Sequence, residues 1–200
     1  MVSCISNCSE RLMTLIHLGR DVAVKEHALE SSQCKAFIDL FDENKKLINL
    51  NNESVGKYVG NTQYRDFPVN TKRAPQMERF IRRQMLHAIA EYKSLLRLPF
   101  SMGNSYEPLE IMKFAKNTDQ FDPHFDSNGK AHPRSLAIIW YLNDVDEGGE
   151  LHLPSKQQPI VVKPRRGRMV IMPTDWTHYH YVTTPESNDR YSLITFIQHS

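Results

Sequence analysis

Two side chains with metal-binding chemistry stand two residues apart in Phe121-Asp122-Pro123-His124-Phe125-Asp126. On a β-strand, residues i and i+2 point to the same face, so the His124 imidazole and the Asp126 carboxylate can reach one ion together. A third donor has to come from elsewhere. The segment PTDWTHYHYV offers His178 and His180, and the same alternation puts both on one face. Two imidazoles and one carboxylate on one side of a metal leave its other positions open. That arrangement suits an Fe(II) that must bind O₂ and a second small molecule. An HxD pair alone recurs by chance in many chains. Its order here gives it weight: HxD, a distant His, then Arg190, ten residues after His180. His17, His27, His87, His132, His152 and His199 have no partner at ligand spacing and read as surface or packing residues.

The elements that must position these groups lie mainly in the second half. From Tyr106 onward, short apolar runs alternate with turn signals: LEIMKFA, SLAIIWYLN, GELHLP, PIVVKP, RMVIMP, HYHYV and RYSLITFIQ. Short strands at close spacing argue for an antiparallel sandwich or barrel. Gly148 and Gly149 in DEGG, and Gly167 in PRRGR, read as turn residues. The first half reads helical. Ser31 and Ser32 are expected to cap a helix along QCKAFIDLFDENKK, with Ala36, Phe37, Leu40 and Phe41 at helical spacing. A longer helix is expected from Pro75, with Met77, Phe80, Ile81, Gln84, Ala88, Ile89 and Tyr92 sharing a stripe. Between them, Asn49, Asn51 and Asn52 read as a polar break, and VGKYVGNTQYRDFPVN as an irregular loop.

The expected architecture is therefore α+β, mainly β: a sandwich with N-terminal helices packed on one sheet. The 200 residues suffice for one domain over 1–200, with 1–105 as mostly helical support and 106–198 as the β core. A formal net charge of +2 does not point to nucleic acid, and no apolar run approaches the length of a membrane span. The N-terminal stretch lacks a basic region ahead of an apolar core, so a cytoplasmic location is expected. Cys4, Cys8 and Cys34 form no CxxC and read as free thiols of a reducing compartment.

The chain resembles the 2-oxoglutarate- and Fe(II)-dependent oxygenases, in their prolyl 4-hydroxylase-like branch of phage and bacterial type. The matching segments are HFD at 124–126, IIWYLND at 138–144, DEGGELHL at 146–153, RRGRMVIMP at 165–173, WTHYHYV at 176–182 and RYSLITFI at 190–197. The resemblance implies a double-stranded β-helix, a jelly roll related to the cupins. It implies iron on His124, Asp126 and His180, with His178 as the alternative third ligand. It implies that Arg190 holds the distal carboxylate of 2-oxoglutarate, supported by Ser192 and Tyr141, and that ascorbate serves as a reductant. An arginine matches a carboxylate bidentately, which agrees with that role. One departure stands ten residues before His124, where many relatives carry a tyrosine and this chain has Phe114.

On this reading the enzyme hydroxylates a C–H bond of a peptide, with proline as the expected residue and succinate and CO₂ as co-products. The alternatives are a hydroxylase of a free amino acid or small metabolite, and a non-catalytic metal-binding sensor. Relatives that act on nucleic acid carry a second arginine six residues after the first, and Phe196 occupies that position here.

Overall fold

The structure, a computed structural model, describes residues 14–53, 62–69, 74–98, 105–127 and 133–198. Strand β8 (Arg134–Tyr141) shows how the sequence builds the layers. Leu136, Ile138 and Trp140 point to one side, Ala137, Ile139 and Tyr141 to the other, and all six are buried. A strand apolar on both faces must be covered on both.

The two covers are helices and a second sheet. On one side lie α1 (Ser31–Glu43) and α2 (Pro75–Leu96). Cys34, Phe37 and Phe41 of α1 and Ile81, Met85, Ala88 and Tyr92 of α2 join Leu136, Ile138 and Trp140 in one core. The α2 stripe runs through Met85, not through the expected Gln84. Helix α1 is capped by Glu30, one residue before the expected serines, with its main-chain N–H donating to Gln33 Oε1 at 2.9 Å.

The remaining strands are β1 (Ile16–Gly19), β2 (Val22–Lys25), β3 (Asn49–Glu53), β4 (Thr62–Val69), β5 (Ser105–Tyr106), β6 (Leu109–Phe114), β7 (Phe121–His124), β9 (Leu151–Leu153), β10 (Ile160–Val162), β11 (Met169–Pro173), β12 (His180–Val182) and β13 (Arg190–Gln198). The larger sheet runs β1-β2-β11-β8-β13-β6-β4-β3, with β5 on β13; the smaller runs β10-β9-β12-β7. Their facing sides enclose a second core that includes Met112, Ala137, Ile139, Leu151, Val162, Val170, Met172 and Val182. This is a double-stranded β-helix with helices packed outside the larger sheet.

The N-terminal half is less purely helical than its sequence suggests. The expected polar break is strand β3, and the expected loop contains β4, which pairs Arg65–Val69 with Leu109–Lys113 of β6. β1 and β2 extend the opposite edge of the same sheet through β11. An existing edge supplies the hydrogen-bonding partners, so tertiary pairing overrides weak local propensity. Among the described residues, no helix is long and apolar enough to cross a membrane. Cys34 is a buried free thiol, while Cys4 and Cys8 lie outside the described residues.

Candidate active site

Strands β7 and β12 are antiparallel neighbours, and their register sets His124 directly opposite His180. The two rings lie 4.3 Å apart between centroids. Asp126 follows just beyond the end of β7 and brings its carboxylate between them, with Oδ1 3.6 Å from His124 Nε2 and Oδ2 3.6 Å from His180 Nε2. The donor atoms of all three residues lie within 4.8 Å of one another.

Main-chain carbonyls fix both rings. His124 Nδ1 is 2.7 Å from Asp122 O, and His180 Nδ1 is 2.8 Å from His178 O. A carbonyl only accepts, so each Nδ1 must donate. In the neutral rings this leaves Nε2 as a lone-pair donor facing the Asp126 carboxylate. Burial lowers the His180 pKa below its ordinary value, reinforced by His124, so the neutral form is favoured. Burial alone would raise the Asp126 carboxyl, but the facing His124 and His180 rings and the Arg134 charge outweigh that and hold it low.

The structure takes His178 away from this cluster. Trp176–His178 is a 3₁₀ turn, so the strand alternation expected for His178 and His180 does not apply. Asp175 caps the turn, accepting from the Thr177 main-chain N–H at 2.8 Å. The His178 ring is used up elsewhere: its Nε2 lies 2.7 Å from Arg20 O, and its Nδ1 3.0 Å from Thr177 Oγ1. Arg20, in the turn between β1 and β2, also donates through its guanidinium to the carbonyls of Leu153 and Thr177.

The cluster opens on a cavity of about 110 Å³ inside the jelly roll, which also receives Arg190 and Ser192. Arg190 and Ser192 alternate inward on β13, where Arg190 pairs with Phe114 and Ser192 with Met112 and Tyr141. Arg190 is 2 % exposed, and its guanidinium carbon sits 4.7 Å from the Phe114 ring centre and 5.1 Å from that of Tyr141. Phe114 therefore serves as a ring against the arginine and brings no hydroxyl to it. Burial pulls the Arg190 pKa below its ordinary value, with Tyr141 opposing.

Several polar atoms here are buried without a hydrogen-bond partner: His124 Nε2, Asp126 Oδ2, the Tyr141 hydroxyl, and Arg190 Nε and Nη1. Orphaned groups of this kind are costly and call for a ligand. The two sets differ in what they want, since the first offers lone pairs to a cation and the second offers donors to an anion.

The cavity also receives residues the sequence reading did not single out: Tyr64, Glu110, Phe121 and Arg134. Phe121 stacks on His124 at 3.9 Å and Tyr64 tilts against Phe121 at 5.2 Å, forming an aromatic wall behind the imidazole. The signal for Glu110 was present: in LEIMKF it shares the inward face with Met112 and Phe114.

The tight turn between β8 and β9 packs against the chain entering β13. Gly148 has φ +71, and a Cβ there would lie 2.1 Å from Thr184 O; one on Gly149 would lie 3.3 Å from Arg190 Cδ. Gly148→Ala is expected to lower stability by about 1–3 kcal/mol, measured by thermal or denaturant unfolding.

A jelly roll that presents two imidazoles and a carboxylate beside a buried arginine defines the class of non-haem oxygenase scaffolds. Residues 110–198 match the model of the 2OG-Fe(II) oxygenase superfamily, and the chain carries an oxygenase domain of that superfamily. It is a 2-oxoglutarate-dependent dioxygenase, with Fe(II), 2-oxoglutarate and O₂ as cofactor and co-substrates. No curated protein shows a significant sequence match. Similar solved structures include a Pseudomonas putida prolyl-4-hydroxylase (14% identity, 90% of this chain and 94% of that one, TM-score 0.69). A viral collagen prolyl hydroxylase from Paramecium Bursaria Chlorella virus-1 is also similar (14%, 91% and 98%, TM-score 0.68). So is a Trichoplax adhaerens prolyl hydroxylase in complex with a hypoxia inducible factor peptide fragment (16%, 100% and 94%, TM-score 0.74).

Proposed function

We propose that His124, Asp126 and His180 hold the Fe(II) of this dioxygenase, and that Arg190, with Ser192 and Tyr141, receives the distal carboxylate of 2-oxoglutarate. The observation that carries this reading is the buried Arg190, whose Nε and Nη1 have no partner, in the same cavity as the three metal donors. When bound, iron, O₂ and 2-oxoglutarate supply the oxidising power, which ends in hydroxylated product, succinate and CO₂.

The chain's own residues perform the placement. Asp122 O and His178 O orient the two imidazoles, and Asp126 is ionised between them. Phe114 and Tyr141 flank the arginine, while Met112, Ile139, Leu151, Met172 and Val182 keep the cavity walls apolar and restrict water. The substrate is a peptide C–H bond, with proline as the leading residue. Exposed Phe125 and Tyr179, next to the metal donors in sequence, and Trp176, four residues before His180, give a peptide rings to lie against. The second reading, a free amino acid or small metabolite, is favoured by the small cavity. The enzyme works in a cytoplasmic, reducing setting, in keeping with the Cys34 thiol, and the whole chain acts as one domain.

The test has two parts. Anaerobic titration with Fe(II) and 2-oxoglutarate should produce a visible metal-to-ligand charge-transfer band; no band would overturn the site. Mass spectrometry of peptides and free amino acids after turnover should then show added oxygen on peptides. Oxygen on amino acids alone would remove the peptide reading.

A further inference from the structure

Glu110 has no role in the site described so far, yet it faces the same cavity. The β6–β13 ladder gives its position. Arg190 lies opposite Phe114, Ser192 opposite Met112, and Ile194 opposite Glu110, so these inward residues form three successive rungs. Glu110 stands four residues from Phe114, about 13 Å along the strand. That exceeds the length of a five-carbon diacid anchored on Arg190. Glu110 therefore lies beyond the co-substrate, toward the end of the cavity where Arg134 influences Asp126.

The Glu110 carboxylate is partly buried and makes no hydrogen bond or ion pair with another described residue. Arg134 lines the same cavity but is already committed. Its Nε and Nη2 donate to the two carboxylate oxygens of Glu107 at 2.7 Å each, and its guanidinium lies 3.7 Å from the Phe196 ring centre. Burial raises the Glu110 pKa, Asp66 and Glu107 raise it further, and Arg134 only partly opposes them. An ionised Glu110, without an ion-pair partner among the described residues of this wall, gains from a cation placed beside it.

We propose that Glu110 is a specificity-determining residue that selects a substrate with a cationic nitrogen, an ammonium or guanidinium group, near the bond to be hydroxylated. The inference rests on the oxygenase reading above and adds the charge of the substrate to it. A lysine or arginine side chain of a peptide and a free basic amino acid share this chemistry, and the probes separate them.

The test is isothermal titration calorimetry on the anaerobic enzyme loaded with Fe(II) and 2-oxoglutarate. The first pair of probes is L-lysine and L-norleucine. The second is a lysine-containing prolyl peptide and its Nε-acetyl-lysine counterpart. In at least one pair the cation should bind about tenfold tighter than its neutral partner. In Glu110→Gln that preference should fall below about threefold, and Glu110→Asp should keep it. A persistent charge-transfer band reports that each variant folds and loads. Preference in the peptide pair alone identifies a polymer substrate; preference in the free pair alone identifies an amino acid. If no cation binds tighter than its isostere, or Glu110→Gln keeps the preference, the inference is wrong while the iron site stands. If the unaltered protein gives no band, both readings fall together.

Discussion

In His180→Ala the charge-transfer band of the anaerobic Fe(II)–2-oxoglutarate complex is expected to vanish, whereas His178→Ala should keep it. Neighbouring histidines give opposite outcomes because their rings face different partners. His180 Nε2 looks toward Asp126 Oδ2, and its other nitrogen is held by the main-chain oxygen of residue 178. That oxygen survives His178→Ala. What His178→Ala loses is the ring's contact with Arg20 O, which leaves a carbonyl without its donor. The expected cost is about 1–3 kcal/mol of stability, seen as a lower unfolding temperature with the band intact. A band lost in His178→Ala, or retained in His180→Ala, would reverse the assignment.

Arg190→Met is expected to separate function from stability. Truncating one side of a buried charged hydrogen-bond pair typically costs 2–5 kcal/mol, so 2-oxoglutarate affinity should drop by at least about 30-fold. Unfolding of the protein without co-substrate should move little, or toward greater stability. There the arginine is a buried cation with two orphaned nitrogens, and methionine removes that penalty at similar volume. Titration of the band and thermal denaturation of the same samples read the two effects. Unchanged affinity would rule out Arg190 as the carboxylate anchor.

The jelly-roll strands were legible because short apolar runs alternate with turn signals. β8 and β11 are apolar and buried on both faces, so their length and the flanking turns mark them rather than a period of two. β3 and β4 were hidden because Asn49, Asn51 and Asn52 favour turns, and only the edge offered by β6 makes strands of that region. The same distinction divides the site. HxD was legible as a local pair, while which of His178 and His180 faces Asp126 depended on Asp175 capping a 3₁₀ turn. The trace of that turn in the sequence is Asp175 two residues before Thr177, a side-chain-to-backbone pattern that competes with extended structure. The orphaned atoms of Arg190 and Tyr141 were not legible, since they follow from three strands meeting in register.

Arg20, whose main-chain oxygen contacts His178, lies outside the region shared with the oxygenase superfamily, yet it steadies the turn that leads into His180. Because a main-chain oxygen does this work, evolution could place at position 20 any residue that tolerates its positive φ, such as Gly or Asn, and lose only the guanidinium's contacts. Deleting a single residue from that hairpin turn would be another matter, for the oxygen itself would move. The constraint there is on chain length, a kind of inheritance that an alignment of side chains records poorly. A version cut down to residues 110–198 would keep every motif letter and lose the brace.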